Sequence, residues 1–415
     1  MRRGGAPHPI GASDAMKVFH CDHCDNLVFF ENVRCLSCTR GLAFLPDLGV
    51  MGSFDEGAEG VFSAPRSPRT AARRWRRCAN YERENVCNWA LPAGDENPLC
   101  ASCRLTQIIP DLSVSGNREA WYRIEVAKRR LIYTLRALDL PLPGRDEEPE
   151  TGLAFEFLAD GVGPDAAPVL TGHAGGVIRL NIAEADDAER ERRRLALNEP
   201  YRTLLGHFRH ESGHYYWDKL VAGTDRLEAF RATFGDERAD YAEALRQNYE
   251  AGPPSDWQAR FISTYAASHP WEDWAETWAH YLHVVDTLET SAQCGLALRP
   301  ARPGDPSVLV QPPAEAQSAF DRLLADWYPV TYLLNNLNRG LGLADAYPFV
   351  LSPVTVAKLR FVHDTITAPR AVREADRSAL RTHAHAAKRQ KGAGEPRGRR
   401  QASRSPKGVA AARQA

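Results

Sequence analysis

The stretch RHESGHYYWDKL, residues 209–220, holds two histidines four apart with a glutamate directly after the first. On an α-helix, positions i and i+4 lie one above the other on the same face, so His210 and His214 can present two imidazoles to a single cation. Glu211 lies about 100° round the axis, close enough to reach a water on that cation without ligating it. Two neutral nitrogens leave a Zn2+ ion strongly Lewis acidic, and an adjacent carboxylate takes a proton from the water as it attacks a carbonyl.

This is the pattern His-Glu-x-x-His of zinc metalloproteases, but five residues with three fixed also arise by chance, so the surroundings must decide. Gly213 is costly in a helix interior by about 1 kcal/mol relative to Ala, which points to the close approach of another backbone beside the histidines. A catalytic zinc takes three protein ligands and keeps one position open. The downstream candidates are His269, Glu272, Asp273, Glu276, His280 and His283. In WEDWAETWAHYLH, residues 271–283, Glu272 and Glu276 share a helix face, as do Glu276 and His280, while Trp271, Trp274 and Trp278 cover another side. Paired carboxylates suit a ligand plus an acceptor that orients a ligating histidine. The competing reading is a solvated acidic stripe. His207 reads as a partly exposed helix histidine, and His269, before Pro270, as a residue shaping the loop.

Eight of nine cysteines fall in two groups. Cys21, Cys24, Cys35 and Cys38 are spaced C-x2-C-x10-C-x2-C, in which two tight turns offer four thiolates to one tetrahedral Zn2+. The intervening NLVFFENVR reads as a short strand and turn of a zinc ribbon, where the metal replaces a core that so short a segment cannot build. Iron in a rubredoxin-like site fits the same ligands, and disulfides compete only outside a reducing compartment. Cys78, Cys87, Cys100 and Cys103 are less regular and are expected to form a second four-cysteine zinc site, with ligand exchange between the groups left open. Cys294 reads as a buried or partly buried thiol.

At 415 residues the chain is long enough for two or three units. No apolar run approaches the roughly 20 residues that span a bilayer, and MRRGGAPHPIGASDA has no hydrophobic signal core; the expectation is a cytoplasmic protein without a membrane partner. The net charge of −1 hides an asymmetry: residues 386–415 hold nine Lys or Arg against one Glu. Such a tail cannot bury enough apolar surface to order itself, and residues 371–415 are expected to be a basic disordered tail, as residues 1–15 are an extension. The tail could touch nucleic acid or anionic surfaces weakly. RSPRTAARRWRR, residues 66–77, reads as an exposed basic linker in which Trp75 could stack on a partner.

After the cysteine region, residues 117–140 are helical and residues 141–150 read as a linker. LAFEFLAD, residues 153–160, is a strand; residues 169–182, interrupted by HAGG, form a hairpin with His173 solvated in its turn. Asn198, Glu199 and Pro200 read as the start of the helix bearing the quoted stretch. A polar, acid-rich connection follows, then helices from near Trp271 and over residues 314–341 and 354–367. Strands first and helices afterwards give an α+β body, with residues 16–110 as zinc-ribbon region and 111–370 as the second domain.

A helical HExxH followed by a helix with E-x-x-x-E is similar to the gluzincin metalloproteases, in which the first acid of the second motif is the third ligand. YAASHPWEDWAE, residues 265–276, looks like the lethal-factor-type toxin proteases, in which a tyrosine seven residues before that ligand contributes to the transition state. From MKVFHCDHC through LCASCRLTQIIPDL, FRHESGHYYWDKL and SHPWEDWAETWAHYLH, the chain resembles a bacterial family of zinc-binding metallopeptidases with an amino-terminal zinc ribbon. The resemblance covers residues 16–367. It implies a mainly helical zincin-type domain with a small sheet, a catalytic zinc on His210, His214 and Glu272, Glu211 as general base, Tyr265 as oxyanion donor and Glu276 behind the ligands, with two structural zincs in the cysteine groups. The implied activity is peptide-bond hydrolysis, with the ribbon recognising a peptide or protein substrate. The hairpin strand would pair with an extended peptide. The alternatives are an inactive zincin scaffold that binds nucleic acid or protein, and a zinc hydrolase of a non-peptide amide.

Overall fold

In the computed structural model, β1 (Phe19–His20) and β2 (Leu27–Val28) pair antiparallel, and Cys21 and Cys24 lie in the turn between them. Cys35 and Cys38 precede a hairpin of β3 (Gly41–Leu45) and β4 (Val50–Phe54). A second small sheet of β5 (Val61–Phe62), β6 (Trp75–Arg77) and β7 (Ala90–Pro92) follows, with the short helix α1 (Ala79–Glu82) directly after Cys78. The residues described are 18–55, 60–63, 73–161, 169, 171–196, 203–311 and 320–368, and all belong to one compact unit.

The end of the arginine-rich stretch is not an exposed linker. Residues 75–77 are the central strand of that sheet, Trp75 is buried, and its indole N–H donates to Asp47 Oδ1 at 3.1 Å. Arg76 Nη2 donates to the carbonyls of Asp95 and Asn97, both at 2.6 Å. Trp75 therefore fills a core instead of awaiting a partner; residues 66–72 lie outside the described residues.

Three residues after Cys103, β8 (Thr106–Ile108) begins the sheet of the second half. Its order is β10 (Gly172–Ala174), β11 (Val177–Asn181), β9 (Ala154–Leu158), β8, antiparallel at β10–β11 and parallel elsewhere. The β10–β11 turn is the two-residue loop Gly175–Gly176 with φ of 51° and 87°. Both positions require the left-handed region, which is why HAGG reads as a hairpin. His173 lies in β10 itself and is half-buried, not solvated in the turn.

Helix α2 (Asn117–Ala137) buries Trp121, Ile124, Leu131, Ile132 and Leu135 along one face. The segment 141–150 does not separate two units. Pro143 O accepts from Leu153 N at 2.7 Å, and Tyr216 Oη donates to Pro141 O at 2.8 Å, so the segment is fastened to both β9 and the helix of the quoted stretch. A continuous core runs from Phe19 to Ile366.

After α3 (Asp187–Ala196), helix α4 (Leu204–Leu220) carries the quoted stretch. It starts at Leu204, capped by Thr203, whose Oγ1 accepts from Gly206 N at 2.9 Å. The expected start at residues 198–200 lies outside the described residues. The polar, acid-rich connection contains three helices, α5 (Leu227–Phe234), α6 (Tyr241–Ala251) and α7 (Trp257–Arg260). Then come α8 (Pro270–Gln293), α9 (Phe320–Gly340) and α10 (353–368).

Helix α4 packs along α8, and Gly213 sets how closely. A Cβ there would stand 2.9 Å from the Ala275 Cα and 3.2 Å from the Trp278 Cβ, so only glycine admits this approach. The indoles of Trp274 and Trp278 complete the contact by donating to Gly213 O at 2.8 Å and Ser212 Oγ at 3.1 Å. Arg209 pairs with Asp286, whose other oxygen accepts from Thr134 Oγ1 at 2.6 Å, tying α2, α4 and α8 together. Cys294 is exposed, not buried: it caps the end of α8, where the chain leaves the packed face. Among the described residues no helix is long and apolar enough to cross a membrane.

Candidate metal centres

Because α4 and α8 lie so close, the sequence positions expected to meet do so. His210 Nε2 stands 3.2 Å from His214 Nε2 and 3.0 Å from Glu272 Oε2, and His214 Nε2 is 3.5 Å from Glu272 Oε1. Tetrahedral ligands on zinc, at Zn–N and Zn–O distances near 2.1 Å, are about 3.3 Å apart. The three side chains thus already form the edges of such a shell. Glu272 Oε2 is buried and accepts no hydrogen bond, and two imidazole nitrogens face each other across the same gap. A cation satisfies all three, so zinc fits here.

His210 Nδ1 meets Glu276 Oε1 at 2.7 Å, and Glu276 Oε2 accepts from Ser263 Oγ at 2.7 Å. A proton on Nδ1 leaves Nε2 as the lone pair facing the gap. Burial opposes a charge on His210, yet Glu272 and Glu276 outweigh it and raise the imidazole well above its ordinary value. Burial likewise opposes ionisation of Glu272, and the two histidines outweigh it, holding that carboxyl well below the usual range. Glu211 is pushed up by burial, with the histidines pulling the other way. No hydrogen bond holds its carboxylate among the described residues.

Tyr265 lies with its ring 5.8 Å from that of His210, and burial and Glu272 keep its phenol protonated. The other downstream candidates go elsewhere. His269 caps α8, accepting from Trp271 N and donating from Nε2 to Ala239 O, both at 3.1 Å. It does shape that loop. Asp273 pairs with Lys358 at 2.5 Å, His280 with Tyr347 Oη at 2.8 Å, and His283 packs against Trp327 and Tyr347. His207 faces Glu184 at 3.6 Å.

Two neighbours, Tyr241 and Ser263, escaped the sequence reading, and two more, Trp271 and His173, were read there without a link to the metal. Tyr241 Oη donates to Glu272 Oε1 at 2.7 Å, from 31 residues away. Ser263 holds Glu276, Trp271 covers His214 at 4.2 Å between ring centroids, and His173 stacks on His214 at 6.4 Å. His173 Nε2 accepts from Gly176 N, and burial with the nearby His214 pushes the imidazole down to about 4. No spacing rule links these to the motif; only the HAGG turn hinted that His173 stood near a fixed hairpin.

The cysteines form two groups, Cys21, Cys24, Cys35, Cys38 and Cys78, Cys87, Cys100, Cys103, with no exchange between them. Sulfur separations of 3.7 Å (Cys21–Cys38), 3.6 Å (Cys24–Cys35) and 3.8 Å (Cys87–Cys100) match the roughly 3.8 Å edge of a zinc tetrahedron with Zn–S near 2.3 Å. The second group is fully buried beside α2. Backbone N–H groups of Trp89 and Cys100 donate to the sulfurs of Cys87 and Cys78 at 3.3 and 3.4 Å. Burial opposes the charge of Arg129, but Cys87, Glu125 and the other thiolates outweigh it and raise its pKa.

Comparison with known proteins agrees with this division. Residues 18–114 match a zinc-ribbon domain, and residues 117–365 match the family described as "putative zinc-binding metallo-peptidase". Uncharacterized proteins of Mycobacterium bovis and Mycobacterium tuberculosis are 44% identical over 352 residues, covering 85% of this chain and 95% of theirs. No solved structure matches the chain. With its ribbon, its three ligand groups and a match over most of its length, the chain belongs to this zinc-binding metallo-peptidase family.

Proposed function

We propose that the chain is a zinc-dependent peptidase of the gluzincin kind, with one catalytic zinc on His210, His214 and Glu272 and structural zincs in the two cysteine groups. The observation that carries this reading is the buried, unsatisfied Glu272 Oε2 at 3.0 Å from His210 Nε2, with His214 Nε2 3.2 Å from that nitrogen and 3.5 Å from Glu272 Oε1, and with Glu211 on the helix of the histidines. When bound there, zinc polarises a carbonyl and acidifies a water.

The chain's own residues do the rest. Glu211, raised by its burial, takes a proton from the attacking water and passes it to the leaving amine. Tyr265, protonated throughout the neutral range, donates a hydrogen bond to the carbonyl oxygen as charge develops. Glu276 and Ser263 hold His210 in register. Among the described residues β10 is an edge strand beside α4, and its outer side would offer main-chain hydrogen bonds to an extended peptide. Eight cysteines gathered for metal need a reducing compartment, which supports a cytoplasmic location. The basic tail, the basis of a nucleic-acid contact, lies outside the described residues.

The experiment is digestion of a peptide mixture by the zinc-loaded full chain beside Glu211→Gln. The wild type should cut and the variant should not, with equal zinc in both. Equal turnover by the variant would refute Glu211 as base, and no cleavage by either would favour an inactive zinc-bearing scaffold.

A further inference from the structure

A carboxylate can give a cation one oxygen or two, and the difference decides whether a position remains for water. At Glu272 the two oxygens have different surroundings. Oε1 lies 3.5 Å from His214 Nε2 but already accepts the Tyr241 hydroxyl at 2.7 Å, while Oε2 accepts no hydrogen bond and lies 3.0 Å from His210 Nε2. We propose that Tyr241 is a positioning residue that confines Glu272 to coordination through Oε2 alone and so keeps the remaining position for water. The proposal rests on the reading of His210, His214 and Glu272 as the catalytic centre.

The hydroxyl is held there by more than one contact. Tyr241 opens α6, whose cap Asp240 accepts from Glu243 N at 3.0 Å. His269 fastens that start to the start of α8, because one ring nitrogen donates to Ala239 O and the other accepts from Trp271 N. The Tyr241 ring packs edge-on against His269 and Trp271, with centroids 5.2 and 6.1 Å away. Glu272 is the third residue of α8, so the same histidine that fixes where this ligand begins also fixes the phenol above it. An Oε1 that loses this donor in a buried site has the cation as its nearest alternative partner.

The test uses the full chain with zinc retained in the cysteine groups and Co2+ exchanged into the His–His–Glu site, comparing wild type with Tyr241→Phe. The ring is 39% exposed and stays in place, so the fold should persist and circular dichroism should not change. The visible Co2+ band of the variant should weaken as Glu272 turns bidentate and the coordination number rises. Its kcat on a peptide mixture should fall by about 10- to 100-fold with KM little altered. Tyr265→Phe should lower kcat and leave the band alone. A Tyr241→Phe band that superimposes on wild type overturns the proposal, as does a Tyr265→Phe band that weakens as much. A wild-type chain that takes up no Co2+ at this site overturns the catalytic-centre reading, and the proposal with it.

Discussion

His210 faces the cation site with one nitrogen and Glu276 with the other, so its aim depends on a residue that never touches metal. Glu276→Ala removes the acceptor and frees Ser263, and zinc affinity at this site should fall by about 10- to 100-fold while the cysteine sites keep their metal. Competition with a chelator, read as zinc released per chain, measures it. The pairs His210 with His214 and Glu272 with Glu276 were legible in the sequence because helical spacing places i and i+4 on a common face, and Glu211 follows His210 directly, whereas the choice of Glu272 among six downstream candidates came from the resemblance to the gluzincins. Tyr241, Ser263 and His173 were not, since they come to the site from the start of α6, a loop and β10, whose paths depend on the whole fold. Two further histidines make a different prediction. Burial pushes His280 down to about 4 and His283 to about 3, so the folded chain holds them neutral where the unfolded chain, at 6.5, is protonated. Both therefore contribute stability that is complete above pH 6.5 and lost as pH falls towards those values, at up to about 1.4 kcal/mol per unit and group. Urea midpoints between pH 7 and 4.5 should fall less steeply in His280→Gln than in wild type.

At the scale of elements, the decisive contact is α4 against α8. Gly213 was legible as an anomaly in a helix, and its reason is the Ala275 backbone on the other side. Gly213→Ala gains up to about 1 kcal/mol of helix propensity but forces a methyl into a gap it cannot fit, and overpacking typically costs about 1–3 kcal/mol. The expected net result is a loss of about 1 kcal/mol or more in thermal or urea unfolding, together with weaker zinc binding, because the helices carry the ligands. A second element-level dependence was invisible in sequence. Helix α2 reads there as a plain amphipathic helix, yet it buries Glu125, Lys128 and Arg129 completely, and Arg129 lies beside the second cysteine group. Removing one partner of a buried charged group typically costs about 3–5 kcal/mol, so Arg129→Met should destabilise the fold by an amount of that order and loosen the metal of that group first. Trp75 taught the opposite lesson: flanking arginines made a core tryptophan look exposed, because Arg76 finds backbone carbonyls, and Arg73 and Arg77 carboxylates, that the sequence does not reveal.

Over the described residues, the ribbon and the half that carries His210, His214 and Glu272 share structure. The chain leaves Cys103 and within three residues becomes β8, among the described residues an edge strand of the sheet that ends at β10 beside α4. Two modules were legible from cysteine spacing and helical periodicity; their joint core was not, because β8 is only three residues long. Stripping metal from the second cysteine group should therefore melt part of the helical half as well, seen as loss of helical circular dichroism and not merely of a local ribbon signal. All of this rests on one cation among His210, His214 and Glu272, and anomalous diffraction from crystals at the zinc edge tests that most directly. Three peaks per chain are expected, one in each cysteine group and one between the two Nε2 atoms and Glu272 Oε2. Peaks in the cysteine groups alone, from zinc-replete protein, would contradict it.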